Sequence, residues 1–279
     1  MNLFDETQML LNQYGLRANK KLGQNFLINQ DIIDSIIDKA EITSNDTVLE
    51  IGPGLGSLTK ALLQNAKKVI VVELDENMVQ VLKSRFGDER LEIIHGDILK
   101  LDLNEITEKY GKIKVVANLP YYITTPIVMK LLEEEYEIES ITVMVQKEVG
   151  ERLCAKAGDR ELGAITIGVN YYSKAKIIID VPKDNFLPAP EVDSCVIRMD
   201  ILKEPSVKLV DKKSFFRLVK AAYSQRRKTI NNSLASGEFS KEEVLEVLNM
   251  LQIDTKLRAE NLSIQDFANI SNELLKLKK

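Results

Sequence analysis

Five short apolar runs rich in β-branched residues recur through this chain at 47–51, 69–72, 91–94, 113–117 and 141–145. Each is separated from the next by enough residues for a helix to cross back. Runs of this length without polar alternation read as strands buried on both faces, and strands joined by long crossovers pair in parallel. The pattern predicts an α/β fold with a mostly parallel, doubly wound sheet. Ile32, Ile33, Ile36, Ile37 and Ala40 fall at helical spacing, with Asp31 placed to cap their helix. A further helix is expected over about 55–63, following a glycine loop. Residues 165–181 are less regular, and 195–201 reads as a late strand after a proline-rich connection. Around 201–210 the pattern changes, which predicts one domain over 1–203 and an all-helical one over 204–279. In the second, Phe215, Leu218, Val219 and Ala222 share one helix face, as do Val244, Leu245 and Leu248.

Charge separates the same two pieces. Residues 201–279 carry 15 Lys/Arg against 10 Asp/Glu, a net of +5, whereas the first 200 carry 23 against 32, a net of −9. Between 212 and 231 there are seven basic residues (Lys212, Lys213, Arg217, Lys220, Arg226, Arg227 and Lys228) and no acidic one. Such clustering marks a face for a polyanion. Arg17, Lys20 and Lys21 are candidates to extend it. No apolar run approaches the ~20 residues a membrane helix needs, and no signal-peptide pattern opens the chain. Two cysteines, Cys154 and Cys195, fit small buried hydrophobes in a reducing cytoplasm. A single histidine, His95, argues against a histidine-based metal site or a serine-type triad, and the expectation is a metal-free site.

Asn118-Leu119-Pro120-Tyr121 ends the fourth apolar run with an amide, a carbonyl beside a proline, and an aromatic ring. Two acceptors and a stacking face are what a pocket needs to hold a planar base by its amino group. The exocyclic amine of adenine is a poor nucleophile because its lone pair is delocalised. Acceptors aimed at its hydrogens favour a pyramidal nitrogen and free that pair. Upstream, Glu50-Ile51-Gly52-Pro53-Gly54-Leu55-Gly56 stands where the first strand turns into its helix, and a dinucleotide fingerprint would place its third glycine where Ser57 stands. Glu73 lies 21 residues after Gly52, where a carboxylate can accept from ribose hydroxyls. Asp97, after His95-Gly96, is placed to accept from the amino group of an adenine. Phe186 sits on a stiff loop, Asn185-Phe186-Leu187-Pro188-Ala189-Pro190. It reads either as a loop anchor packed on the core or, with Tyr121, as one side of a sandwich around an unstacked adenine. The sandwich is the expectation carried forward.

Over nearly the whole chain these stretches resemble the small-subunit ribosomal RNA adenine dimethyltransferase family. The resemblance rests on Gly23-Gln24-Asn25-Phe26-Leu27, the Glu50 to Gly56 loop, Glu73, Asp97 and Asn118 to Tyr121. It continues in Phe186-x-Pro188-x-Pro190-x-Val192-x-Ser194, Ser224-Gln225-Arg226-Arg227-Lys228-Thr229 and Arg258-Ala259-Glu260-Asn261-Leu262-Ser263. It implies a Rossmann-like, class I methyltransferase sheet and S-adenosyl-L-methionine as cofactor. Carried over position by position, it implies that Asn25, Leu27, Gly52, Glu73, Asp97 and Asn118 touch that cofactor. Asn118, Leu119, Pro120, Tyr121 and Phe186 then form the catalytic pocket, and Arg217, Lys220, Arg226, Arg227 and Lys228 meet RNA phosphates. The implied substrate is a pair of adjacent adenosines in the 3′-terminal hairpin of 16S ribosomal RNA, within a partly assembled 30S subunit, and the enzyme is expected to be a monomer. Glu191 departs from the family, which often has lysine there, and weakens any phosphate contact assumed at that loop. Three other readings stay open on the sequence: a large-subunit adenine methylase, a non-catalytic ribosome-assembly factor, and a nicotinamide-dependent oxidoreductase.

Overall fold

A computed structural model describes residues 1–19, 22–225, 227–235 and 239–277. Asn2 starts the first helix, α1 (Leu3–Gln13), by accepting a hydrogen bond from the amide of Asp5 at 2.8 Å. A two-residue strand, β1 (Phe26–Leu27), precedes α2 (Gln30–Lys39). Asn29, not Asp31, caps α2, its side chain accepting from the amide of Asp31 at 2.9 Å. Asp31 instead sits inside the first turn, where a negative charge meets the positive end of the helix dipole. Ile33, Ile36 and Ile37 face inward, as their spacing predicts.

The predicted strands then appear in order, each with its crossover helix. They are β2 (Thr47–Ile51), α3 (Ser57–Asn65), β3 (Lys68–Glu73), α4 (Glu76–Arg85), β4 (Leu91–His95), α5 (Asn104–Tyr110), β5 (Ile113–Asn118), α6 (Thr124–Glu133) and β6 (Ile138–Gln146). The helix expected from 55 begins two residues later, because Leu55 and Gly56 belong to the glycine loop. Pairing is parallel for β2 with β3, β2 with β5, β3 with β4 and β5 with β6. Every residue of β2 is buried, as a central strand covered on both faces requires.

After α7 (Lys147–Leu153), the region that read as irregular is a helix, α8 (Ala164–Tyr172), followed by a strand, β7 (Ser173–Val181). Burial nearly all round α8 removes the helical stripe, while β7 lies at the sheet edge and is only partly covered. A short strand β8 (Phe186–Leu187) pairs antiparallel with β1, and β9 (Ser194–Ile201) pairs antiparallel with β6. The seven-stranded order is β4-β3-β2-β5-β6-β9-β7.

This sheet and its helices form one compact unit, Met1–Gly150 with Lys174–Ile201. The second unit is Leu202–Lys279 together with Glu151–Ser173. The latter segment lies inside the span expected for the first domain. Its α8 packs with α9 (Lys212–Tyr223), where Tyr171 meets the ring of Phe216 at 5.4 Å and that of Phe215 at 6.0 Å. Three further helices complete this unit, α10 (Ile230–Leu234), α11 (Lys241–Met250) and α12 (Ile264–Leu277). Phe215, Leu218, Val219 and Ala222 are buried on α9 as expected. On α11 the inward residues are Val244, Val247 and Leu248, whereas Leu245 is 40% exposed.

Candidate functional site

Between β2 and β5 the path of the chain reverses: β3 and β4 build outward on one side and β6 on the other. Loops leaving the two strands diverge and open a crevice at their carboxyl ends. In register, Ile51 lies beside Ala117, so Gly52 and Asn118 emerge side by side at its floor. A cavity of about 130 Å³, partly open to solvent, occupies this position. Asn25, Leu27, Gly52, Glu73, Asp97, Asn118, Leu119, Pro120 and Tyr121 all line it.

The three glycines of the loop have positive φ, but they do different work. A Cβ on Gly52 would meet nothing closer than 4.0 Å, the nearest atoms being the carbonyl of Asn118 and Pro120 Cδ. It would stand in the crevice itself, so Gly52 leaves the backbone open to a ligand. A Cβ on Gly56 would lie 2.6 Å from Phe86 Cε2 and 2.9 Å from Leu82 Cδ2. That glycine serves helix packing rather than ligand approach.

At the end of β5, the Asn118 side chain donates through Nδ2 to the backbone carbonyl of Asn25 at 3.1 Å. A carbonyl only accepts, so this bond orients the amide and leaves Oδ1 as its remaining acceptor. The amide of Leu119 donates to the Met144 carbonyl at 3.2 Å, while its own carbonyl accepts from no other described residue. Pro120 turns the chain into a 3₁₀ turn, Tyr121–Ile123, and its carbonyl accepts from the Ile123 amide at 3.2 Å and from Thr124 Oγ1 at 3.1 Å. Tyr121 is half-buried and its hydroxyl is 2.6 Å from Ser194 Oγ, which fixes the ring. Burial holds its phenol above the ordinary range, against the opposing effect of the Ser194 bond. Ser194 belongs to a motif noticed in the sequence, yet its role as the anchor of Tyr121 emerges only from the fold.

Electrostatics narrow what the crevice can hold. Its described lining includes the carboxylates of Glu50, Glu73 and Asp97 and no Lys, Arg or His. Glu73 Oε2 accepts from the Gly54 amide at 3.0 Å and Oε1 from the Asp75 amide at 2.9 Å. Burial nevertheless pushes its carboxyl above the usual range. Glu50, 1% exposed, is pushed up to about 8 by burial, although Thr59 Oγ1 donates to it at 2.6 Å. Asp97 Oδ1 accepts from the Leu99 amide at 3.0 Å. Asp97 has Lys100 at 3.8 Å, but Glu50 and Glu73 are desolvated with no cationic partner among the described residues, which favours a positively charged ligand and suits a sulfonium and an ammonium better than a pyrophosphate. With the open backbone at Gly52, these residues fit S-adenosylmethionine.

Phe186 is where expectation and structure part. It is 3% exposed, pairs through β8 with Leu27 and belongs to the hydrophobic core, outside the cavity lining. The anchor reading describes it, because two short strands that pair at 26–27 and 186–187 draw both side chains into the core. Tyr121 is therefore joined at the cavity by Tyr122, which the sequence reading passed over. Arg217, Lys220, Arg227 and Lys228 are exposed in the second unit, and Arg17 is exposed in the first. Arg226, Lys20 and Lys21 lie outside the described residues.

Also unforeseen is a bridge behind the glycine loop. Arg85 donates through Nη1 to the Leu55 carbonyl and through Nη2 to Glu6 of α1. Gln24 Nε2 donates to Asp75 Oδ2 at 3.0 Å, tying the segment before β1 to the start of α4. Nothing in the local pattern of an amphipathic helix distinguishes Arg85 from a solvated residue.

Comparison with known proteins agrees with this geometry. The profile of the ribosomal RNA adenine dimethylase family matches residues 15–276. A Clostridium acetobutylicum protein named ribosomal RNA small subunit methyltransferase A is 42% identical over 269 residues, 96% of this chain and 98% of that one. A dimethyladenosine transferase from Plasmodium falciparum superposes with a TM-score of 0.76 at 30% identity, over 91% of this chain and 97% of the other. The 23S rRNA methyltransferase ErmE shares the fold, with a TM-score of 0.71 at 23% identity over 90% of this chain and 99% of its own. No helix among the described residues is long and apolar enough to cross a membrane. A match of this extent, on a sheet and crevice of this kind, places the chain in the ribosomal RNA adenine dimethylase family, as an S-adenosylmethionine-dependent methyltransferase.

Proposed function

We propose that Asn118 Oδ1 and the carbonyl of Leu119 accept the two hydrogens of an adenine amino group, with the ring of Tyr121 against the base. The target is a pair of adjacent adenosines in the 3′-terminal hairpin of small-subunit ribosomal RNA. They are presented in a partly assembled 30S subunit to a cytoplasmic monomer. The observation that carries the reading is the bond from Asn118 to Asn25, because it turns an otherwise ambiguous amide into a preset acceptor. The small-subunit methyltransferase name of the Clostridium relative supports the choice of RNA.

Asn25, Leu27, Gly52, Glu73, Asp97 and Asn118 would hold the cofactor, Glu73 taking the ribose hydroxyls and Asp97 the cofactor's adenine amine. When bound, S-adenosylmethionine supplies a methyl group on a positively charged sulfur, so an amine lone pair forms the N–C bond as the S–C bond breaks. The chain contributes position and preset dipoles. Two acceptors on the amine hydrogens pull the nitrogen out of conjugation with the ring, and after the new bond has formed the proton passes from the cationic nitrogen to water. Tyr121, held by Ser194, offers a fixed face at small entropic cost, and stacking offsets part of the few kcal/mol needed to extrude a base. Arg217, Lys220, Arg226, Arg227 and Lys228 meet phosphates, which sets affinity and register but not base identity.

The test is transfer of labelled methyl groups to unmodified small and large subunits, with the modified nucleotides mapped by mass spectrometry. The expected product is N6,N6-dimethyladenosine at two neighbouring positions near the 3′ end. Methylation confined to large-subunit RNA, or none, overturns the reading.

A further inference from the structure

The 3₁₀ turn after Pro120 carries two tyrosines in opposite circumstances. With three residues per turn, successive side chains point about 120° apart. Tyr121 turns inward to Ser194, whereas Tyr122 turns outward and is 57% exposed while still lining the cavity. Gly23, at φ +61°, stands beside the ring of Tyr122, and a Cβ added there would lie 3.4 Å from Tyr122 Cδ1 and 3.6 Å from Pro120 Cβ. Glycine at 23 thus leaves that side of the ring uncovered by any side chain of its own, and the exposed ring looks out from the cavity mouth. An exposed aromatic next to a base pocket is a platform for a second base: stacking needs only a π face and tolerates any nucleobase.

We infer that Tyr122 is a positioning residue that stacks the nucleobase flanking the extruded adenine. Extrusion strips that neighbour of its stacking partner, and Tyr122 replaces it. The inference rests on the functional reading above, in which the neighbour is itself a target adenine. Tyr122 then holds the waiting adenine at the cavity mouth while the first occupies the acceptors of Asn118 and Leu119. Both adenines are modified in one docking event. No new bond chemistry is involved; Tyr122 acts on which base enters next.

The experiment compares wild type, Tyr122→Ala, Tyr122→Leu and Tyr122→Phe on unmodified small subunits in excess over enzyme. Tyr122→Ala and Tyr122→Leu should raise the KM for subunits roughly tenfold, the factor that corresponds to ~1.4 kcal/mol of lost stacking. They should also accumulate RNA fragments with one adenosine dimethylated and its neighbour bare. Tyr122→Phe keeps the π face and should match wild type in both readouts. S-adenosylmethionine affinity by calorimetry should be unchanged in all three, which separates lost stacking from a damaged fold. Wild-type KM and product distribution in Tyr122→Ala overturn the platform alone, as does Tyr122→Phe failing as badly as Tyr122→Ala. Absence of any dimethyladenosine from the wild type overturns the functional reading, and the platform with it.

Discussion

The side-chain amide of Asn118 and the backbone carbonyl of Asn25 are joined by one hydrogen bond of 3.1 Å across 93 residues of chain. It ties the end of a central strand to the segment that precedes the sheet and decides which end of the amide faces the substrate. Asn118→Ala should lower the rate of methyl transfer by about 10²–10³-fold, the usual effect of removing one preset dipole from a reacting centre. Asn118→Asp should be as damaging, because a carboxylate cannot donate to Asn25 and places charge against its carbonyl. Single-turnover methylation measures the loss, and filter binding should show subunit affinity largely retained.

Arg85 links α1 to the glycine loop through Glu6 and the Leu55 carbonyl, with both charged side chains mostly buried. Removing one partner of such a pair leaves the other desolvated and alone. Lys60, 3.5 Å from Glu6, covers part of that loss. Arg85→Ala should therefore cost about 2–4 kcal/mol in urea unfolding and weaken cofactor binding in calorimetry. An Arg85→Ala protein with wild-type affinity would show that the bridge serves folding only.

Burial disfavours the charge of Glu50 in the folded protein and pushes its carboxyl up to about 8, from an ordinary value of 4.5. The folded state thus holds a proton that the unfolded chain releases. This contribution to stability is complete below pH 4.5 and disappears as pH rises through 8. Between pH 6 and 9 the wild type should lose roughly 2–3 kcal/mol relative to Glu50→Gln, whose side chain stays neutral. Parallel curves for the two proteins in chemical unfolding across that range would refute it.

Two glycines of one loop should fail in different ways. Gly56→Ala forces a Cβ to 2.6 Å from Phe86 at φ +84° and should destabilise by about 1–3 kcal/mol. Gly52→Ala meets no atom closer than 4.0 Å and should fold with a smaller cost from its positive φ, yet lose S-adenosylmethionine affinity. Thermal unfolding read alongside calorimetry distinguishes them.

Replacing Lys220, Arg227 and Lys228 by glutamine should weaken subunit binding and flatten its dependence on salt. Each lost phosphate contact removes about 0.7–0.9 from the slope of log K against log salt. An unchanged slope would place these side chains away from RNA.

Local chemistry was enough to find the strands and the carboxyl-end positions of Gly52, Glu73, Asp97 and Asn118. Buried β-rich runs need no distant partner to be recognised, and a doubly wound sheet sends their ends to one edge. The amino-base logic of residues 118–121 was likewise carried by residue type alone. By contrast, Asn25 entered only through resemblance, since nothing local marks a carbonyl that will orient an amide 93 residues away. Asp31 and Asn29 are both good caps, and only the path of the preceding strand chose between them.

Phe186 shows the boundary most plainly. Its proline-flanked setting predicted a ring held in place, but which way the ring faces depends on Leu27 across a two-residue ladder. Residues 151–173 joined the helical unit because Tyr171 and Tyr172 found Phe215 and Phe216, far along the chain. Sequence by itself determined the sheet, the crevice and the residue types at its floor, because periodicity and residue type act over a few neighbouring positions. Tertiary structure alone decided the exposure of Tyr122 at the cavity, the bridge through Arg85 and the burial of Phe186, because packing partners distant in sequence set each side chain's orientation and exposure.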